Sequence, residues 1–453
     1  MTVHTGHRLG RLIADRTGQP ALAHDADVVG RVLPFRIGSH AADELVDWSR
    51  APDDPLYRLL MPHRDLLAPA DFAAVEQTLR DGDRDRLRLV VDGLRERLDP
   101  HPAGRDGGEL RHPYPETLLV LPHQGPRQGR TCPSHCASCF RWPHFTGDPA
   151  RGRALGGPGA MTAQLARHPE ITEVVLDGGD PLLMRTELLD PYVTPLLDRP
   201  HIRTIQIRTQ AVSLSPQRFL DAPDADDLLR LLERVVASGR HLTLLLHVSH
   251  PRELHPEPTR RAVGRLLATG AVLRTQGAVL RHVNDDAGVW ARMWQEQAKL
   301  GLVPHRMLVE RGTGARRCFG LPLATVVDVH GEAVRRALGP AGRGNGRGPG
   351  GTADGPAGDS VGSPVGGSTG SPVGGPVMCT ERGPLAVDGI VQLRDGPAFA
   401  LHALRTRGPA PAGTAAYARF DPTARWWDEL IPYGPRDRIL IPGEPLTPED
   451  VVG

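Results

Sequence analysis

Three of the five cysteines fall on one short stretch, Cys132, Cys136 and Cys139 in TCPSHCASCF, with the spacing C-x3-C-x2-C. In a reducing compartment such a cluster binds metal more readily than it pairs into disulfides. Three thiolates on one loop can hold three irons of a cubane 4Fe–4S cluster and leave the fourth iron without a protein ligand, open to chemistry. The alternative is zinc, which wants a fourth Cys or His; His135 and His144 are the local candidates. Further along, Gly178-Gly179-Asp180 offers glycines that permit close backbone approach and a carboxylate able to accept from an ammonium group, unless it is a plain βα turn. Amine chemistry is nearly absent: of 54 basic residues only Lys299 is a lysine.

Such residues need elements to bring them together. Residues 1–110 read as a helical extension, with charged and apolar residues mixed at helical spacing in DLLAPADFAAVEQTLRDGDRDRLRLVVDGLRERL and no motif of its own. Over 111–330, six short runs (ETLLVLP, ITEVVLDGG, IRTIQIRT, HLTLLLHVSH, AVLRTQGAVL and HRMLVERG) alternate with amphipathic stretches such as ADDLLRLLERVVASG, EPTRRAVGRLLATG and DAGVWARMWQEQAKLG. Strands with helices between them imply right-handed βαβ units, hence an α/β fold on a parallel sheet, open or curled into a partial barrel. Parallel α/β folds carry their chemistry at the carboxyl ends of the strands. The candidates fall there: Cys132 to Cys139 after the first run, Gly178 to Asp180 after the second, Arg208 in the third, His247 to His250 at the fourth, Glu310 and Arg311 at the sixth. Residues 339–376, rich in Gly, Pro and Ser with SPVGG twice, cannot bury enough surface to offset their ordering entropy and are expected to form a disordered loop. In the C-terminal segment 377–453, GIVQLRDGPAFALHAL reads as a β-hairpin turning at Asp395-Gly396, followed by a proline-rich tail.

Seven segments in order, DWSRAPDDPLYRLLMP, RHPYPETLLVLP, CPSHCASCFR, LDGGDPL, IRTQAV, HVSHPRE and QGAVLRHVND, resemble the lysine 2,3-aminomutase family of the radical S-adenosylmethionine (radical SAM) superfamily. The resemblance implies a partial (βα)6 TIM-like barrel, a 4Fe–4S cluster on Cys132, Cys136 and Cys139, and S-adenosylmethionine on the open iron as the source of a 5′-deoxyadenosyl radical that abstracts hydrogen from the substrate. It implies that Gly178, Gly179 and Asp180 lie against the methionine part of the cofactor. Arg208, His247 and His250 would line its pocket, a structural hydrogen bond to the barrel rim being the other reading of each. Arg141 stands where the aminomutases carry an arginine that pairs with the substrate's α-carboxylate, so a small amino-acid-like acid is the expected substrate; neutralising the cluster, or a surface ion pair, is the alternative. An electron donor such as flavodoxin or ferredoxin is an expected partner, and the resemblance leaves room for a homo-oligomer.

The departures from the family bear on the substrate. Its enzymes hold pyridoxal phosphate on a lysine in a glycine-rich loop; matching Pro376-Val377-Met378 puts Gly374 at that position, so a covalently anchored pyridoxal phosphate is disfavoured. Where the family places an aspartate for the side-chain ammonium, this chain has Arg311, or Glu310 one residue earlier. An inward Arg311 predicts an acidic or neutral far end on the substrate, an inward Glu310 a basic one. The family's cysteine-rich C-terminal zinc site is missing, since Cys379 stands alone there and Cys318 reads as a packed or semi-exposed thiol.

A formal net charge of +1 over 453 residues gives no global case for nucleic acid or an anionic membrane as partner. The sequence holds no apolar run long enough to span a bilayer and no apolar stretch of signal type near its start, so a cytoplasmic protein is expected. Beside the leading expectation, a radical SAM enzyme without covalent pyridoxal phosphate, stand two alternatives: an aminomutase that recruits free pyridoxal phosphate, and a non-catalytic Fe–S or zinc protein on the same fold.

Overall fold

The computed structural model describes residues 2–99, 110–123, 132–146, 157–312, 314–338, 374–407 and 410–442. The expected disordered loop therefore lies outside the described residues over 339–373, as does the tail beyond 442. The N-terminal extension is mainly helical: α1 (His7–Thr17), α2 (Pro20–Val32), α3 (Pro55–Leu60), α4 (Pro69–Asp81) and α5 (Arg84–Leu98). Proline opens α2, α3 and α4, where its missing N–H costs no helical bond. Asp83 starts α5 by accepting from the Arg86 N–H at 2.9 Å. The extension also holds two short antiparallel strands, β1 (Val3–Thr5) and β2 (Arg36–Gly38), which the helical expectation missed. Nor is it a detached lid. Its apolar core takes in Ala137 and Trp142 of the cysteine loop together with Leu280, Val283 and Phe319. Fully buried Asp54 caps α3 through the Leu56 and Tyr57 N–H groups (3.1 and 2.9 Å) and also pairs with Arg252 of the following region.

From residue 110 the chain builds one large sheet. β3 (Leu110–Tyr114) runs antiparallel to β4 (Thr117–Val120). β4, β5 (Glu173–Leu176), β6 (Thr204–Thr209), β7 (His241–His247), β8 (Val272–Val279) and β9 (Val303–Val309) then pair in sequence order, all parallel, and correspond to the six runs. Between and after them come α6 (Gly157–Arg167), α7 (Thr186–Leu197), the short α8 (Ala211–Leu214) and α9 (Gln217–Leu220), α10 (Ala225–Ala237), α11 (Glu257–Ala268), α12 (Ala287–Lys299) and α13 (Leu323–Leu338). The three amphipathic stretches are α10, α11 and α12. The C-terminal segment extends this same sheet: β10 (Val377–Thr380) pairs parallel to β9, and β11 (Gly383–Leu393), β12 (Gly396–Ala403) and β13 (Ala415–Arg419) follow as an antiparallel meander. Leu393 pairs with Gly396, so the hairpin turns through Arg394-Asp395, one residue earlier than expected; Gly396, at φ +118, takes the positive dihedral at the start of the returning strand.

Alternation gives the sheet two unlike faces. Ile205, Ile207, Leu242, Leu244, Leu246 and Leu273 join the core beneath the helices, whereas Gln206, Arg208 and Arg274 stay partly exposed on the other face. The polar face is the concave one. Arg405, just past β12, donates to Glu173 Oε2 (3.2 Å) and Thr117 Oγ1 (2.8 Å), pairs with Glu116 and lies 4.1 Å from the Tyr114 ring. These groups belong to β3, β4, β5 and the turn between β3 and β4, at the far end of the strand order, so the sheet cannot be flat.

At the strand ends, buried polar groups fix the loops. Asn284 accepts from the Leu280 N–H (2.7 Å) and donates to Ser249 O and Ala278 O (2.8 and 2.9 Å), tying β7 to β8. Glu253 accepts from the Ser249 and His250 N–H groups and the Ser213 hydroxyl (2.7, 2.9 and 2.9 Å), and burial pushes its carboxyl up to about 7.

Two stability experiments follow. Arg405→Ala is expected to lower the unfolding free energy by ~1–2 kcal/mol, discounted because the pair is partly exposed, in urea denaturation; no change would mean that this closure contributes nothing. A carboxyl whose folded value lies above its unfolded one stabilises the fold fully below the unfolded value of 4.5 and loses that contribution as pH rises through about 7. Glu253→Gln removes this dependence, so its stability relative to wild type should rise by roughly 2–3 kcal/mol between about pH 5 and 8. A pH-independent difference would contradict the burial argument.

Candidate active site

The cysteine loop lies between the extension and the strand ends. The His135 N–H donates to Arg36 O (2.9 Å) and the Ala137 N–H to Leu59 O (2.7 Å), so the extension sets the loop's backbone. Cys136 Sγ donates to Gln210 Oε1 just past β6 (3.4 Å), and Cys139 Sγ accepts from the Arg141 N–H (3.4 Å). All three thiols are held above the ordinary cysteine value, first by loss of solvent and then by one another for Cys132 and Cys136, the latter pushed up to about 12. Among the described residues no group of three or more His, Cys, Asp or Glu is arranged as a ready-made metal-ion site, the sulfurs being coupled without converging. Donors on separate irons of a cubane stand farther apart than donors on one ion. Three soft donors that resist ionising together without added positive charge fit an iron–sulfur cluster.

The loop after β5 carries two carboxylates with opposite roles. Asp180 is buried and accepts from the Thr209 hydroxyl (2.8 Å) and from the N–H groups of Gln210, Ala211 and Leu182 (2.7, 2.8 and 3.1 Å). Burial nevertheless pushes its carboxyl up to about 6. With its acceptor positions filled from inside the chain, Asp180 joins the β5 and β6 ends and has little capacity left for a cofactor ammonium. Gly178, at φ +116, takes a backbone conformation that side chains disfavour.

Asp177 was not among the sequence candidates, yet it organises the site. Arg141 donates to it twice, Nη1 to Oδ1 (3.3 Å) and Nη2 to Oδ2 (2.8 Å), and Arg208 donates Nη1 to Oδ2 (2.9 Å). Burial works to raise the Asp177 carboxyl, but Arg141 and then Arg208 outweigh it and hold it at about 2. Two guanidiniums on one carboxylate leave one positive charge over. Position alone could have exposed Asp177, since it sits at the carboxyl end of a parallel strand one residue before the glycines.

The remaining candidates divide. His247 shares the polar face and feels Asp177, while burial pulls its imidazole down to about 4. His250 serves the rim: its Nδ1 accepts from the Arg252 N–H (3.2 Å) and its own N–H goes to Glu253. Glu310 is buried against Arg316, which lies 6.0 Å from the Phe140 ring. Arg311 pairs with Asp428 at 3.2 Å, both partly exposed. Neither Glu310 nor Arg311 is thus a free charge, each being paired within the chain. Lys299 is 69% exposed and bonded to Glu296, and among the described residues a Cβ at Gly374 would meet nothing within 4 Å. Cys318 packs against the extension's core, as expected of a packed thiol.

No family model matches the chain. A putative L-lysine 2,3-aminomutase of Aquifex aeolicus is 30% identical over 315 residues, 69% of this chain and 73% of that protein. The L-lysine 2,3-aminomutase of Escherichia coli is 28% identical over 260 residues, 57% of this chain and 64% of that protein. Among solved structures, Streptococcus suis SuiB bound to its precursor peptide SuiA covers 66% of each chain at 12% identity with a TM-score of 0.35, a likeness too slight to bear on the fold. Among the described residues no helix is long and apolar enough to cross a membrane. On the identity and coverage of the Aquifex relative, the chain belongs to the lysine 2,3-aminomutase family of radical SAM enzymes.

Proposed function

We propose that this enzyme abstracts hydrogen from a small amino-acid-like carboxylate at the mouth of a partial (βα)6 barrel, without covalently anchored pyridoxal phosphate. The observation that carries the reading is the juxtaposition of Cys132, Cys136 and Cys139, enclosed by protein, with the Arg141–Asp177–Arg208 cluster at the ends of β5 and β6. When bound, a 4Fe–4S cluster and S-adenosylmethionine supply a 5′-deoxyadenosyl radical. The chain's own residues position and protect. Ionised Asp177 fixes the plane of the Arg141 guanidinium, and the surplus positive charge shared with Arg208 can receive a substrate carboxylate. The glycine backbone after β5 permits close approach of a ligand, with Asp180 holding that loop in place. Apolar packing of the extension over Ala137 and Trp142 keeps water away, which a primary carbon radical requires. The partial barrel is supported by the six parallel strands in order and by the Arg405 contacts across the sheet.

The sequence offers no amine near Gly374, so a resting Schiff base has no partner. Family membership favours a second reading, an aminomutase that holds free pyridoxal phosphate without a covalent bond. A one-electron donor such as flavodoxin or ferredoxin, in a reducing cytoplasm that keeps the thiols free, completes the proposal.

Anaerobic reconstitution should give a brown protein that reductively cleaves S-adenosylmethionine to 5′-deoxyadenosine; an intact, loaded cluster that cannot do so refutes the enzyme reading. With a substrate identified by deuterium transfer into 5′-deoxyadenosine, Arg141→Ala is expected to weaken its binding by roughly 30- to 100-fold, the worth of a bidentate charge-assisted pair, while uncoupled cleavage persists. Unchanged KM would remove the carboxylate clamp. Added pyridoxal phosphate and amino acid should produce no bound aldimine band, and its appearance would decide for the second reading.

A further inference from the structure

The register of the sheet places an unusual row of side chains on its concave face. His247 pairs with Gln276, and Gln276 with Arg306. Leu308, two residues past Arg306, pairs with Val377, so Cys379, two further on, shares that face. Arg208 belongs to it through its partner Leu245, two residues before His247. Among the described residues Arg306 has neither a hydrogen bond nor an ion pair, although burial first, and then the like charges of Arg208 and Arg405, hold its pKa below the ordinary guanidinium value. Among the described residues Arg208 bonds only Asp177 and leaves its Nε buried without a partner. Nearby acids are already engaged: Asp177 by two arginines, Glu116 and Glu173 by Arg405, Glu310 by Arg316. Cys379 is solvent-accessible yet lies close enough to Arg208, Arg306 and Arg407 to feel their charges.

A half-buried guanidinium with no counter-ion among the described residues, near a second that shares its acid with Arg141, calls for an anion. We infer that the concave face between Arg208 and Arg306, with Gln276 beside them, binds an oxyanion of the substrate, a second carboxylate or a phosphate monoester, so that the substrate is an acidic amino acid or its derivative. The inference rests on the proposed reading of the site as one for an amino-acid-like acid. It restores the acidic far end on a different residue, since Arg311 is turned to Asp428 and Arg306 takes that role.

The test is direct binding to the cluster-loaded enzyme, by calorimetry, of glutamate, O-phosphoserine, norleucine and lysine, together with mass-spectrometric measurement of the rate at which iodoacetamide alkylates Cys379. Glutamate or O-phosphoserine should bind at least tenfold more tightly than norleucine or lysine and slow Cys379 alkylation severalfold, the tighter of the two telling carboxylate from phosphate. In Arg306→Gln, checked for native circular dichroism, the preference should vanish. Equal or tighter binding of norleucine or lysine, no binding of either acid, or an undiminished preference in Arg306→Gln each overturns the inference. Cys379 protection in the wild-type protein keeps the test decisive if the variant fails to fold. Reductive cleavage of S-adenosylmethionine without acid preference would defeat this inference alone, whereas acid preference without cleavage would defeat the enzyme reading alone.

Discussion

Everything at the mouth of this fold depends on the cost of ionising three thiols in one poorly solvated place. Cys132, Cys136 and Cys139 lose solvent on a loop whose backbone is bonded to the N-terminal extension. Each thiolate formed there makes the next harder to form, so the set is unfavourable as thiolates alone and favourable around a multiply charged iron cluster. The extension is thus part of the site: without Arg36 O and Leu59 O the loop would lose the contacts that hold it over the strand ends.

A second charge imbalance lies beneath the first. Ionised Asp177 is answered twice, by Arg141 and Arg208, and the concave face below adds Arg306, which no acid among the described residues pairs with. Such a surplus is costly inside a protein unless a ligand completes it, which is why the same observations bear on binding more than on stability. On the opposite face Ile205, Ile207, Leu244 and Leu273 pack under the helices as an ordinary apolar core. One sheet therefore packs an apolar core on one side and gathers arginines on the other.

The six parallel strands were legible because each is a short β-branched or leucine-rich run, and α10, α11 and α12 because their apolar residues recur at helical spacing. The cysteine spacing and the strand-end rule also pointed to the loops on which the candidate residues lie. Contacts between distant residues were not legible. No local pattern says that Arg405 will reach Glu116 and Glu173, that Asp177 will take Arg141, or that Arg311 will turn to Asp428. Asp180 looked like a ligand because a strand-end carboxylate can be one; besides the local Leu182 N–H, its three donors from Thr209, Gln210 and Ala211 appear only when β5 and β6 are set side by side. Arg306 was readable in principle, since alternation along β9 puts it on the face opposite Met307 and Val309, but that face becomes a binding surface only once the sheet curls.

The central claim is a cluster held by three cysteines with one iron left to the cofactor. Mössbauer spectroscopy of the anaerobically reconstituted, iron-57-labelled protein tests it most directly. The account predicts a 4Fe–4S signal in which one iron is distinct from the other three and shifts when S-adenosylmethionine is added. Four irons that respond identically, or not at all, would contradict it.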